Sequence, residues 1–234
     1  MKAIYIRELK SYFLSPIAYA FMGTFMLIGG IFFSLTNIIV LSTNFASTLG
    51  SLSFVFVIVV PILTMRMFSQ ERKDKTDQLL LTSGVSVRDI ILAKYFSAST
   101  VFLVTLLLSL IMPVIIGIFG APIFGEILCA YIGFLLLGLV MIAVGMFIST
   151  TTDSQITAAI LTAAFMLLIW VADAAISLVS NNAIVNMLSW LSLFERLEPF
   201  ILGTFSTANI VYYISFIVLF IYMSFLSIEK RRWG

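Results

Sequence analysis

Six apolar runs, near residues 17–41, 50–68, 95–119, 127–149, 156–179 and 208–228, dominate the sequence. Each is long enough to cross about 30 Å of hydrocarbon, which takes about 20 helical residues. In lipid every backbone N–H and C=O must be satisfied within the chain, so runs of this kind predict helices, and six of them predict an all-α polytopic membrane protein forming one transmembrane domain over residues 1–234. Composition agrees: 62% of the 234 residues are hydrophobic and 10% charged, against about 45–50% and 25% in soluble domains. The first run follows Lys2, Arg7 and Lys10, as a signal peptide would. It exceeds the roughly 7–15 apolar residues of a signal peptide and has no clear cleavage motif, so a retained first span is expected.

Charge distribution orients the spans. With six crossings both termini lie on one side, and Lys2, Arg7, Lys10, Arg66, Arg72, Lys73, Lys75, Arg88, Lys94, Lys230, Arg231 and Arg232 fall there, leaving only Arg196 opposite. The bias of Lys and Arg toward cytoplasmic loops predicts a plasma-membrane protein with both termini in the cytoplasm. With no histidine and one cysteine, Cys129, disulfide frameworks and His/Cys metal sites are excluded, and no metal or catalytic residue is expected. No nucleic-acid signature is present.

In residues 1–16, Tyr5, Ile6, Leu9, Tyr12, Phe13 and Pro16 fall within an arc of about 120° at 100° per residue, with Arg7 and Ser11 opposite. An interfacial helix on the inner leaflet is the expectation, with a basic tail as the alternative. Pro61 and Pro113 lie inside the second and third spans, where each removes a backbone hydrogen bond and tends to kink the helix. Gly145 with Ser149, and Ala159 with Ala163, are small residues four apart that permit close helix approach. No internal repeat of the secondary-transporter kind is visible.

Nine charged residues crowd into residues 69–95, between the second and third spans. Within this loop, 69–94, the run "ERKDKTDQLLLTSG" predicts a short helix, with Glu71 four before Lys75 and Gly84 suited to end it. Ser86, three before Asp89, is an N-cap signal that restarts a helix into the third span. On the first helix Thr76, Leu79, Leu80 and Ser83 share a face, with Lys73 and Asp77 directed elsewhere. The leucines rest either on this chain's own surface or in the cleft of a second protein, helix in groove.

The run Glu71, Arg72, Lys73, Asp74, Lys75, Thr76, Asp77, Gln78, Leu79, Leu80, Leu81, Thr82, Ser83, then Val85, Ser86 and "RDIILAKY", resembles the cytoplasmic loop of ABC type-2 transporter permeases. The pattern there is roughly Glu-Arg, a Thr, Leu-Leu, a Ser/Pro-containing turn and a Lys opening the third span. Lys75 stands where many members have Gly, and Gly84 where many have Pro. The likeness extends over the whole chain, and "ELKSYFLSPIAY" is closest to permeases of the gliding-motility type. It implies that the loop is a coupling helix docked on a separate ATPase subunit, with Leu79 and Leu80 as anchors and Glu71, Arg72, Thr76 and Ser83 around them. It also implies a dimer of permeases, same or homologous, over two ATPase copies that hold ATP and Mg, so that this chain needs no cofactor.

Residues 180–207 are apolar yet too short to cross twice as helices. An outer re-entrant or interfacial hairpin is expected, with Trp190, Glu195, Arg196 and Glu198 near headgroup level and Pro199 breaking the helix; a surface-lying loop is the alternative. The resemblance implies a lid here. Asp173 is the intramembrane acid; 17 residues from Ile156, at 1.5 Å each, puts it roughly 26 Å along, near the outer headgroups. It is either interfacial or internally paired, or it lines an export path. Asp153 reads as an N-cap-like residue of the fifth span.

No GxxxxGK[ST] loop, G-x-S-x-G or HExxH occurs, so the chain is expected to be a non-enzyme whose energy comes from elsewhere. The expected function is the permease subunit of an ABC exporter, half of a translocation path. A membrane anchoring or assembly subunit is the alternative, and a secondary transporter a weaker third. The mostly apolar interior favours lipids, peptides or amphipathic compounds over ions.

Overall fold

The computed structural model describes residues 1–73, 86–176 and 192–233, with side chains to residue 230. All regular structure in the described residues is helical, and six helical stretches are long and apolar enough to cross a membrane: Pro16–Ile39, Phe45–Lys73, Val87–Phe119, Phe124–Thr151, Gln155–Ile176 and Thr207–Lys230. These follow the six apolar runs. The third begins earlier than its apolar run because Ser86 Oγ accepts the Asp89 N–H at 3.2 Å, the expected N-cap.

In chain order the elements are α1 (Lys2–Leu14), α2 (Pro16–Phe33), α3 (Phe45–Leu52), α4 (Phe56–Thr64), α5 (Ser69–Lys73), α6 (Val87–Ser109), α7 (Ile111–Phe119), α8 (Phe124–Thr151), α9 (Gln155–Ile176), α10 (Glu198–Ile201) and α11 (Thr207–Trp233). The first span finishes in a π-helical turn, Ser34–Ile39. The second is α3, a 3-10 turn at Ser53–Val55, α4 with Pro61 inside it, and α5. The third breaks between α6 and α7, as its proline predicts. Pro113 has no N–H to offer Ser109, four residues back, and its ring crowds that carbonyl; Ser109 is where α6 stops.

The fourth span, α8, is the centre of the bundle and packs against α3, α4, α6, α9, α10 and α11. Four spans meet around an aromatic cluster in which Phe56 touches Phe102 and Phe134, with Phe21 and Phe25 closing it from the first span. Below it α8 comes close to α4 at Gly145, where an added Cβ would lie 2.3 Å from Thr64 Oγ1. One turn on, Ser149 Oγ accepts both the Phe68 and Ser69 N–H groups, at 3.1 and 3.3 Å. The Gly145/Ser149 pair thus allows contact as expected. In the fifth span the buried face is Ala158, Thr162 and Met166, one residue round from the expected Ala159 and Ala163.

α1 is a helix, not a tail, and it packs along α6. Its packed face is rotated from the one that hydrophobicity indicates: Ile6 and Pro16 are exposed while Glu8 turns inward beside Tyr5, Leu9 and Tyr12. Tyr12 is buried and donates to the Leu63 carbonyl at 3.2 Å, and Tyr5 Oη lies 2.9 Å from Thr100 Oγ1. The other end of the chain is here too, since Arg88 lies over the Phe225 ring and Ser227 Oγ reaches the Thr150 carbonyl. Both termini therefore sit at one end of the bundle.

Candidate functional site

At the terminal end, the described part of the charged loop is held from two sides. Ser69–Lys73 continues the second span as α5, so Glu71 and Arg72, being adjacent, point about 100° apart. Glu71 Oε1 accepts from Lys94 Nζ at 2.9 Å and from Arg7 Nη2 at 3.3 Å. Lys94 also pairs with Glu8 Oε2 at 3.2 Å, and Arg7 with Glu8 Oε1 at 2.6 Å. Two cations and two carboxylates alternate, joining α1, the end of the second span and the start of the third. Lys94 is 2% exposed and lies over the Phe68 ring, so its ammonium is held in place by both carboxylates rather than by water.

Burial raises the Glu8 carboxyl, but the Lys94 and Arg7 charges outweigh it and hold the group below the ordinary glutamate value. Arg7 is raised in return, through its bond to Glu8 and despite partial burial. Glu8 escapes a sequence reading because it is hidden among charges on a helix with basic flanks. Its signal is position: three residues after Tyr5 and four before Tyr12 put an acid on the packed face.

Arg72 turns the other way. Its Nη1 donates to the Thr152 carbonyl at 3.1 Å and lies 3.4 Å from Asp153 Oδ1, in the short loop before the fifth span. Thr76, Leu79, Leu80 and Ser83 lie outside the described residues, as does Trp190 of the far-end segment.

At the opposite end, residues 192–206 form a fastened segment. Asp173 Oδ2 accepts the Phe194 N–H at 2.9 Å, so the acid is internally paired. Ser192 Oγ accepts the Glu195 N–H and opens the 3-10 turn Glu195–Leu197. Tyr213 Oη donates to the Leu193 carbonyl at 2.8 Å. Arg196 lies 3.8 Å from the centroid of the Tyr212 ring and exchanges hydrogen bonds with Asn209. Glu195 and Glu198 face outward. Pro199, expected to break a helix, instead stands in the first turn of α10, where a missing N–H costs nothing; its carbonyl takes Thr204 N and Oγ1.

This segment reaches well into the bundle. Phe200 is fully buried against Gly133, where an added Cβ would lie 2.6 Å from the Phe200 ring. Gly133 is nine residues inside α8 from Phe124, roughly 14 Å along the helix.

In comparison with known families, the model for the ABC-2 family transporter protein matches residues 41–229, from the end of the first span to the end of the sixth. No curated protein matches the chain.

Proposed function

The chain belongs to the ABC-2 transporter family, a family of membrane permeases without ATPase activity of their own, and from that premise we propose that it is the permease subunit of an exporter driven by a separate ATPase. Two copies of this chain, or this chain and a homologue, would each supply half of the path over two ATPase subunits that bind ATP and Mg. The segment Glu71–Ser83 is the coupling helix in this reading, with Leu79 and Leu80 seated in the ATPase and Thr76 and Ser83 beside them. The positive-inside bias puts the terminal end, and so the ATPase, in the cytoplasm. Residues 180–207 form the outer re-entrant lid. The amino-terminal "ELKSYFLSPIAY" supports kinship with the gliding-motility type, and the mostly apolar interior favours lipids, peptides or amphipathic compounds over ions as cargo.

The observation that carries the reading is the divergence of Glu71 and Arg72. At the mouth of the coupling segment, Glu71 holds α1 and the third span through Lys94, while Arg72 holds the loop that opens the fifth. A push delivered to the segment between residues 73 and 86 therefore arrives at three places in the bundle at once. Lys94 and Arg72 are themselves buried, and a packed interior deforms little, so these two attachments carry displacement into the bundle.

The test is partner capture. The tagged chain, purified in mild detergent from its own host, is expected to bring down a subunit with a phosphate-binding loop in equal number. Leu79→Asp with Leu80→Asp is expected to leave membrane insertion intact and lower that capture at least tenfold, since it would put charge into an apolar contact. Equal capture by wild type and variant overturns the docking role. Absence of any ATPase after gentle crosslinking favours an anchoring subunit instead.

A further inference from the structure

Beside the charge cluster, on the outer side of α1, lies an open recess of about 470 Å³ lined by Arg7, Lys10, Ser11, Leu14, Ser15 and Arg66. Its three charged residues are all cations. Glu8, the nearest acid in sequence, is turned away into the Lys94 cluster. Arg7 spends one guanidinium nitrogen on Glu8 and Glu71 while its side chain remains 55% exposed, which leaves donors facing the recess. Arg66 approaches from the second span, close enough to act electrostatically on the Tyr12 hydroxyl behind it.

Depth decides what such a recess meets. Arg66 is 21 residues from Phe45, where the second span begins at the far end; along a helix that is roughly 32 Å, the thickness of the hydrocarbon plus the edge of the headgroup layer. Ser15 and Pro16 are where the chain bends from α1 into the first span. Leu14 at the rim is 87% exposed, and Tyr19, one turn into the span, is 59% exposed and edge-on to Phe13. Cations at headgroup level thus share the recess with an exposed Leu14, next to the start of a span that exposes Tyr19.

We propose that this recess is a binding site for an anionic phospholipid, its phosphodiester held by Arg7, Lys10 and Arg66 and one acyl chain lying along Leu14 and Tyr19. The guanidinium forks match phosphate oxygens in pairs, and the ammonium adds a point charge. The Ser11 hydroxyl supplies a neutral donor. A zwitterionic lipid would bring its own amine into a pocket already cationic, so the site selects net negative headgroups. Because Arg7 is common to the recess and the cluster, an occupied site also steadies α1 against the mouth of the charged loop. The inference rests on the membrane-spanning architecture and holds whether or not the chain transports anything.

The test is native mass spectrometry of the intact chain, taken from mixed micelles holding equal phosphatidylglycerol and phosphatidylcholine with the same acyl chains. Wild type is expected to retain phosphatidylglycerol in preference. Lys10→Gln with Arg66→Gln should cut that retention by about 25-fold, about fivefold per cation removed near an anionic headgroup, and leave phosphatidylcholine unchanged. Lys2→Gln with Lys230→Gln, which removes the same charge outside the recess, should leave the preference intact. If Arg66→Gln impairs folding, the exposed Lys10→Gln alone should still give the fivefold loss. Equal retention of the two lipids by wild type, or equal losses from both pairs, overturns the proposal. So does displacement of phosphatidylglycerol by excess inorganic phosphate, which would make this a site for the free anion.

Discussion

Lys94 is the residue on which the terminal end turns. A buried ammonium between Glu8 and Glu71 repays its desolvation only while both carboxylates remain charged. Lys94→Met would leave those carboxylates facing one another across a shielded gap with Arg7 alone to balance them, and is expected to cost about 3 kcal/mol, within the range for breaking a buried pair. Thermal unfolding in detergent measures it, and adding Glu8→Gln to Lys94→Met should recover part of the loss. The pH dependence follows from Glu8. Its folded-state value lies below the ordinary one, so its contribution is fully present above the unfolded glutamate value and is lost as pH falls through the lowered one. Wild type should therefore lose stability on acidification below the ordinary glutamate range, and Glu8→Gln should be flatter over that window. An identical acid profile for the two would remove Glu8 from the account. Lys94 could be noticed in the sequence as a basic residue opening the third span, but its partners could not. Pairing Lys94 with Glu8 takes the docking of α1 on α6, a contact between segments about ninety residues apart.

The elements divide by how local their causes are. The six spans were legible because each is specified by its own run of apolar residues and by the need to satisfy its own backbone. The Ser86 cap and the break before Pro113 were legible for the same reason. The packed face of α1 was not, because Ile6 matches Leu9 and Phe13 in hydrophobicity, and only the neighbouring spans decide which is covered. The far-end segment lies between these cases. Its apolar character was visible, but its fastening to Asp173, Asn209, Tyr213 and Gly133 joins three different spans. Phe200 and Gly133 make this seat testable. Gly133→Leu would drive a side chain into the space that the Phe200 ring fills, and should loosen residues 192–206 while leaving the remaining helices in place. Hydrogen exchange should rise there at least tenfold; unchanged exchange would mean that the seat contributes little to holding the segment.

Over the whole molecule, α8 links the two ends. Ser149 on this helix holds the backbone of Phe68 and Ser69 at the root of the charged loop. Gly133 on the same helix seats Phe200 of the far-end segment. The sixteen residues between them span roughly 24 Å of continuous helix. Gly145, pressed against Thr64, leaves no room for one helix to slide over the other, because close-packed interfaces shift between discrete arrangements rather than stretch. In the proposed exporter, a displacement at the coupling segment therefore reaches the lid along α8 as a rigid movement. Arg72 feeds the same displacement into the fifth span, whose Asp173 grips Phe194 from the other side. Cutting the near-end attachments should then separate partner binding from motion at the far end. With the ATPase bound and a non-hydrolysable ATP analogue added, wild type is expected to change hydrogen exchange at residues 192–206. Arg72→Ala with Ser149→Ala should still capture the ATPase, since the Arg72 guanidinium is spent on Thr152 and Asp153 of its own chain and the anchors Leu79 and Leu80 are untouched, yet lose most of that far-end response. A full response in this variant would mean that the signal travels by another route, and α8 would then be scaffold and not transmission.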